Sequence, residues 1–494
     1  MSAKTAFKIL QSTAETTRNG MQPFEMIPGP KPLPVIGNVW RYLPIVGDYK
    51  PNALFENAKF NREHYGPIVR EQLTENLTIL HLFDPDDVES LFRQDGKYPC
   101  RRSHRALLKY RRDRPGQYLD GGLFPENGQN WYRQRNQFQQ HLMSKSRVSA
   151  NVSKLDSSAK SLIKQISACS GGQDTFTISN FDSILYRWAL GNSLSLFLDI
   201  DIDEQECSTT ARLVEELHNS LRAVDKTEIE TDKWIKRPEK CPFYNLLVQS
   251  QDFLFSFVAE KVERKSRKVD CDTTSSYINH WLHVDKMDKR DIISFIIDAL
   301  MAGLHTTSYS TAFLLYHLSR DKNLQNELRA QVDKNLPHED RVRASHVDQL
   351  ILLRDCLKES LRLNPVSIGT GRLISSDEVA IRGYQIPRGT MVITQNQVIS
   401  RDSKVFTQPE MFRPCRWSEF RSHRKQDRPS PFATLPFGFG TRSCIGRPIT
   451  ELQVKLMVAR LLQRYQIDLV PEIPIKTTLI HNLDGHFAIS LRKI

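Results

Sequence analysis

Between Met287 and Arg320 the chain contains no proline, and the run reads as one continuous helix. At about 1.5 Å per residue it would span roughly 50 Å, and the rest of the chain has to be placed around it. Its middle is Ala302-Gly303-Leu304-His305-Thr306-Thr307. A glycine inside a helix costs about 1 kcal/mol relative to alanine, so Gly303 needs a reason. Thr306 can hydrogen-bond to a carbonyl one turn earlier and bend the helix, leaving a groove for small molecules such as dioxygen or water. Taken alone, the segment reads more readily as an ordinary core helix.

A second stretch is more specific. Phe437-Gly438-Phe439-Gly440-Thr441-Arg442-Ser443-Cys444-Ile445-Gly446 sets a cysteine in a glycine-rich loop that opens an amphipathic helix, Arg447 to Arg464. Backbone amides at a helix N-terminus favour a thiolate. Gly438, Gly440 and Gly446 let the backbone approach a flat ligand closely. Arg442 offers a fixed cation for a carboxylate. A lone cysteine in a turn is ordinarily just a buried thiol. Here the spacing Phe-x-x-Gly-x-Arg-x-Cys-x-Gly fixes five residue types. Chance produces that in a chain of this length on the order of once in ten thousand.

The pattern resembles the haem-binding loop of the cytochrome P450 family. The resemblance implies haem b (iron protoporphyrin IX), with Cys444 as its axial thiolate and Phe437 packed beside it. It also gives meaning to motifs that are weak alone. Trp131 and Arg135 lie four apart on one helical face, so an indole N–H and a guanidinium can converge on one anion. With Arg372 and Arg442 they match the family's propionate-binding set. Thr306 falls on the threonine that delivers protons during oxygen activation. The preceding position is usually acidic in the family but is His305 here, which could relay protons without supplying negative charge. Glu359 and Arg362, three apart in a helix stopped by Pro365, match a buried pair joined in the family by a later arginine, here Arg416.

Other stretches are organisational. Residues 27–37 (Ile-Pro-Gly-Pro-Lys-Pro-Leu-Pro-Val-Ile-Gly) form a stiff segment that is neither helix nor central strand. A helix at about 53–64 is followed by a turn and a β-type run through Leu82. Residues 98–130 read as irregular. From 150 to 270 the chain is mostly helical, with a charged insertion at 227–242 between two helices. The second of those helices carries Phe253, Leu254, Phe255, Phe257 and Val258. Gly383 to Thr390 reads as a hairpin-like β segment, and the run around Asp484-Gly485-His486 as a turn between short strands.

Composition limits the setting. With 69 Lys and Arg against 57 Asp and Glu, the net charge is +12, which suits an acidic protein or an anionic membrane face. The basic clusters are scattered, which disfavours nucleic acid. The eight cysteines contain no Cys-x-x-Cys pair, and their wide spacing argues for reduced thiols inside a cell. Residues 1–20 carry Lys4, Lys8 and Arg18 against Glu15, with Ser and Thr between, which looks like a mitochondrial transit peptide. No run of 18 apolar residues occurs that could anchor in a membrane. Arg354 and Lys358, one turn apart, form a basic stripe. In mitochondrial family members such a stripe implies docking of an adrenodoxin-type 2Fe–2S ferredoxin, itself reduced by an NADPH-dependent reductase. Pro448 stands where those members usually carry a second basic residue after the cysteine.

The expected fold is therefore mainly α (α+β), a cytochrome P450 domain over 27–494 behind a transit segment, 1–26. The expected protein is a haem-thiolate monooxygenase, peripheral on the matrix face of the inner mitochondrial membrane. Its expected substrate is lipophilic and steroid-like. The run Thr307 to Leu318 looks like that of arthropod hydroxylases of ecdysteroid precursors. A mitochondrial xenobiotic-metabolising enzyme and a haem-thiolate isomerase or dehydratase are the alternatives. A non-haem basic helical binding protein would explain the charge only.

Overall fold

The long helix runs from Lys289 to Leu318 in the computed structural model of the chain. Asp288 caps it by accepting a hydrogen bond from the Arg290 backbone N–H at 2.8 Å. The structure describes residues 20–43, 45–50, 53–75, 77–202, 207–229, 233–267, 276–473, 475–477, 480–483 and 485–494. Most of the expected transit segment (residues 1–19) and Asp484 lie outside these. The described residues form two compact units, considered separately: one within Met1–Arg102, Ile368–Pro409 and Pro429–Thr441, the other within Ser103–Ser367, Glu410–Arg428 and Arg442–Ile494.

The larger unit is helical. Its principal helices are α1 (Gly128–Leu142), α2 (Phe181–Leu198), α3 (Cys207–Ile229), α4 (Pro242–Ser266), α5 (Lys289–Leu318), α6 (Ile351–Leu363), α7 (Cys415–Ser422) and α8 (Arg447–Leu462). α5 is the hub, packed against α2, α4, α6 and α8. Its sequence explains this, because the run is apolar around nearly its whole circumference and so has to be surrounded. In α4, Leu254, Phe257 and Val258 are buried, while Phe253 lies under the Arg212 guanidinium. A three-stranded antiparallel sheet closes this unit, with Ile489–Lys493 between Thr175–Ile178 and Tyr465–Leu469.

One expectation is corrected here. Residues 98–130 are not irregular throughout, because Arg105–Arg112 is a helix. Ala106, Leu107 and Tyr110 are fully buried at helical spacing, and Arg111 is buried beside them, 2.6 Å from Asp298. The surrounding Arg and Lys residues obscure this short apolar stripe in the sequence. Gly122, at φ +86°, is needed in the loop that follows, since a Cβ there would lie 1.9 Å from Arg111 Nη1.

The smaller unit carries the main sheet: β1 (Ile68–Thr74), β2 (Leu77–Leu82), β3 (Thr370–Leu373) and β4 (Met391–Thr394), in the order β1-β2-β4-β3. β2 and β4 run parallel and the other pairs antiparallel. The β-type run through Leu82 is thus a hairpin. Ala380–Ile381 pairs with Tyr384–Gln385 through Arg382 and Gly383, both at positive φ, as a tight two-residue hairpin requires. The chain near residue 20 joins this hairpin: Gln22 N–H donates to Gly383 O at 2.8 Å, Gln385 N–H donates to Gln22 O at 3.2 Å, and Phe24 is buried.

Candidate active site

From Asp291 to Leu315 only four residues of α5 are not buried: Ala299, Ala302, Gly303 and Thr306. They recur at i, i+3, i+4 and i+7, so they share one face. All are small, and together they leave a shallow trough along an otherwise enclosed helix. The Thr306 hydroxyl donates to Ala302 O at 2.7 Å. Ser308 and Thr311 bond back in the same way at 2.7 and 2.8 Å. The reason for Gly303 is now visible. A Cβ there would come within 3.1 Å of Ser193 Oγ on α2, so the glycine permits close helix packing.

His305 projects elsewhere. Its ring centroid lies 4.5 Å from that of His218, 5.5 Å from Tyr186 and 5.6 Å from Tyr309. Its Nδ1 is buried with no hydrogen-bond partner among the described residues. Burial, with a smaller contribution from His218, holds its pKa down to about 3. The imidazole is therefore neutral throughout the physiological range. This depressed value makes the folded chain sensitive to acid. As pH falls below the unfolded value of about 6.5, the unfolded state takes a proton that folded His305 refuses, and stability is lost until about pH 3. His305→Phe should therefore lessen the loss of unfolding free energy between pH 7 and pH 5 by about 2 kcal/mol. Denaturant titration at the two pH values checks this, and equal losses in wild type and variant would contradict it.

α8 begins at Arg447, with Gly446 as its N-cap and Pro448 in its first turn, where the missing N–H costs nothing. Cys444, two residues before the cap, is exposed. Beside it, Arg135 on α1 is buried, and its Nη1 donates to Ser443 O at 2.8 Å. Its other hydrogen bonds go to Gln139 Oε1 at 3.1 Å and Met143 Sδ at 3.5 Å. Burial lowers the Arg135 pKa to about 10, opposed by the negative charge available at Cys444. A buried guanidinium whose hydrogen bonds, among the described residues, all go to neutral groups suits an anionic ligand. Arg442 is also buried, 4.1 Å above the Trp131 ring, and its Nη2 donates to Glu126 O and to Asn127 Oδ1. Trp131, Arg135, Arg442 and Cys444 are thus gathered in one unit. Asn127 was not legible in the sequence, since an asparagine ahead of a helix ordinarily signals only a cap.

Phe437 and Arg372 belong to the other unit. Phe437 is half-buried there, just ahead of Gly438 and Gly440, both at positive φ. Arg372 is buried on β3, its Nε 2.7 Å from Asp95 Oδ2 and its guanidinium over the Phe92 ring. Phe439 lies against Phe432 and Phe92 with tilted rings, an aromatic cluster with no periodic signal in the sequence.

Glu359 on α6 is completely enclosed. Its Oε1 accepts from Arg362 Nη2 at 2.8 Å, Arg416 Nε at 2.8 Å and the Arg413 N–H at 3.1 Å. Its Oε2 accepts from Arg362 Nε at 3.0 Å and Trp417 Nε1 at 3.1 Å. Trp417 and the Arg413 amide are additions to the expected trio. On the outer side of α6, Arg354 is partly exposed and Lys358 is exposed. Arg421 on α7 reaches Asp355 at 2.7 Å and extends this basic surface.

An exposed cysteine at the head of a helix, next to a buried cation in search of an anion, defines a thiolate site for a flat, carboxylate-bearing cofactor. The cytochrome P450 family model matches residues 27–490, and the chain belongs to that family. It is similar to cytochrome P450 302a1, mitochondrial, of Drosophila melanogaster, with 34% identity over 95% of this chain and 96% of that protein. It is also similar to the mitochondrial sterol 26-hydroxylase of Oryctolagus cuniculus, at 30% identity over 83% of this chain and 78% of that protein. A probable mitochondrial cytochrome P450 301a1 of Drosophila melanogaster is 25% identical over 90% of this chain. Within the family the chain falls in the mitochondrial clan. It is an oxygen-incorporating oxidoreductase that carries haem on an axial cysteine thiolate.

Proposed function

We propose that this chain is a mitochondrial monooxygenase that hydroxylates a steroid-like substrate, favoured as an ecdysteroid precursor, with electrons from an adrenodoxin-type ferredoxin. The observation that carries the reading is the trough of Ala299, Ala302, Gly303 and Thr306 on α5. It offers one hydroxyl on an otherwise apolar, partly open face. The sterol 26-hydroxylase relative supports a steroid-like substrate, and the resemblance of Thr307 to Leu318 to arthropod enzymes supports the ecdysteroid form.

Cys444 is the haem ligand in this reading. Arg135, Arg442 and Trp131 would hold its propionates, and the family resemblance assigns Arg372 and Phe437 to the same cofactor. Haem supplies the chemistry of reductive dioxygen activation and insertion into an unactivated C–H bond. Thr306 holds a proton at Oγ1 and orients it by the bond to Ala302 O. His305, neutral and enclosed by Tyr186, His218 and Tyr309, would contribute no charge and, with its Nδ1 unpartnered among the described residues, no proton path to Thr306.

Arg354 and Lys358, with Arg421 now added, form the ferredoxin-docking face. Acidic groups on the partner would be steered there, with salt-sensitive rates. A presequence that ends before Gln22 fits better than one that ends at residue 26, because Gln22 pairs with the hairpin at Tyr384 and Phe24 is buried. Sequencing the matrix form should find an N-terminus before Gln22; a start after Phe24 would contradict this. The mature protein sits peripherally on the matrix face of the inner membrane.

The deciding experiment reconstitutes the haem-loaded chain with ferredoxin and its reductase against a panel of sterols and ecdysteroid precursors, read by haem spin-state shift and product. Thr306→Ala should keep the spin-state shift. It should lower product formed per NADPH consumed by about tenfold, within the usual range for loss of a positioned proton donor. Turnover with a microsomal flavoprotein reductase but not ferredoxin, or unchanged coupling in Thr306→Ala, would refute the corresponding part.

A further inference from the structure

Three side chains of the larger unit, away from the cysteine loop, bring metal-binding atoms together at one point of its surface. His141 Nε2 lies 2.8 Å from Asp285 Oδ2, and His280 Nε2 lies 3.4 Å from Asp285 Oδ1. The two imidazole centroids are 5.0 Å apart, with the rings inclined at 60°. One donor atom from each residue lies within 4.8 Å of the other two. We propose that His141, His280 and Asp285 form a binding site for a borderline divalent transition ion of the zinc class.

The geometry suits such an ion. Tetrahedral zinc with bonds of about 2.0–2.1 Å places its donors about 3.3 Å apart, so small side-chain movements would close this set around one ion. Two imidazoles and a carboxylate select zinc-class metals over calcium or magnesium, and a fourth position remains for water. His141 is buried at the C-terminal end of α1, whereas Asp285 stands at the surface and provides the way in.

The backbone brings the other two ligands together. His280–Val284 is a single π-turn, closed by a hydrogen bond from Asp285 N–H to His280 O at 3.0 Å. In a regular α-helix, residues five apart project about 140° from one another. The widened turn returns Asp285 to the side of His280. Such turns are rare and often occur at functional positions. A bound ion would tie α1, which carries Trp131 and Arg135, to the segment leading into α5, which carries Thr306.

Two neighbours oppose the ion, and they make the proposal sharper. Arg147 Nη2 lies 3.0 Å from both ring nitrogens of His280, and Gln140 Nε2 lies 3.2 Å from His141 Nε2. Arg147 has to swing away on binding, so its removal should strengthen the site.

The test uses the untagged, haem-loaded chain and zinc chloride, titrated in competition with a chromophoric chelator, with zinc counted by elemental analysis. One zinc per chain should bind with a dissociation constant below about 10 μM. The zinc X-ray edge, separate from that of haem iron, should report nitrogen and oxygen neighbours at about 2.0 Å. His141→Ala and Asp285→Asn should each weaken binding at least about tenfold, and Arg147→Gln should tighten it severalfold. His338→Ala, at the exposed His338–Asp333 pair, should change nothing. An unchanged carbon monoxide spectrum confirms that each variant is folded, and surface-lying Asp285→Asn carries the test if His141→Ala does not fold. Failure of wild type to bind a saturable equivalent would overturn the proposal. So would binding by Asp285→Asn equal to wild type, or loss of the equivalent in His338→Ala.

Discussion

Cys444→Ala is expected to abolish the thiolate-type Soret band of the carbon monoxide complex and to lower monooxygenase turnover by at least about a thousandfold, or about 4 kcal/mol on the barrier. The reason is electronic. No other side chain in the loop can supply an anionic sulfur, and the thiolate's push of electron density is what the chemistry needs. The fold should tolerate the change. Cys444 is exposed, makes no packing contribution like that of buried Cys356, and its loss opens no core cavity. The denaturation midpoint of the cofactor-free chain should therefore stay within the error of the wild-type value. Retention of a thiolate-type spectrum would transfer the ligand role to another cysteine, with exposed Cys415 or Cys169 the first to examine.

Glu359→Ala is the complementary case, where stability fails first. Glu359 and Arg362 are completely enclosed, and Arg416 is nearly so at 2% side-chain exposure. Removing the carboxylate leaves two guanidiniums buried without their common counter-charge, together with the Trp417 N–H and the Arg413 amide that it accepts. Breaking a buried ion pair from one side costs about 3–5 kcal/mol, a large share of the stability of an ordinary domain. The expected result is little haem-loaded protein at 37 °C and a lower denaturant midpoint at 10 °C. Glu359→Gln should recover only part of the loss, since it keeps two acceptor sites but not the charge. A Glu359→Ala variant with wild-type midpoint and haem content would show that the network contributes no net stability.

Much of the cysteine site was legible because its signals are local. The glycines, Arg442 and Cys444 lie within one loop, and Trp131 and Arg135 share one helical turn. What the linear pattern concealed was sidedness. His305 and Thr306 are adjacent in sequence, yet one faces His218, Tyr186 and Tyr309, while the other faces the trough. Gly303 suggested a groove by its lack of a side chain, but its close contact is with Ser193 on α2. The helix Arg105–Arg112 was hidden because its basic residues outnumber the three apolar positions that bury it. Arg111 lies in a run of basic residues, and its burial depends on Asp298, far along the chain.

By itself the sequence determined the long proline-free helix, the cysteine at the head of α8, the order of the motifs and hence the mainly α, haem-thiolate class. Those depend on residue type and short spacing, which a chain carries with it unfolded. Tertiary structure alone decided which face of α5 is open, which acceptors surround Arg135 and how many donors enclose Glu359. It also decided that a π-turn brings Asp285 back to His280 and His141. Each of these depends on contacts between segments distant in the chain, where burial sets charge, exposure and pKa.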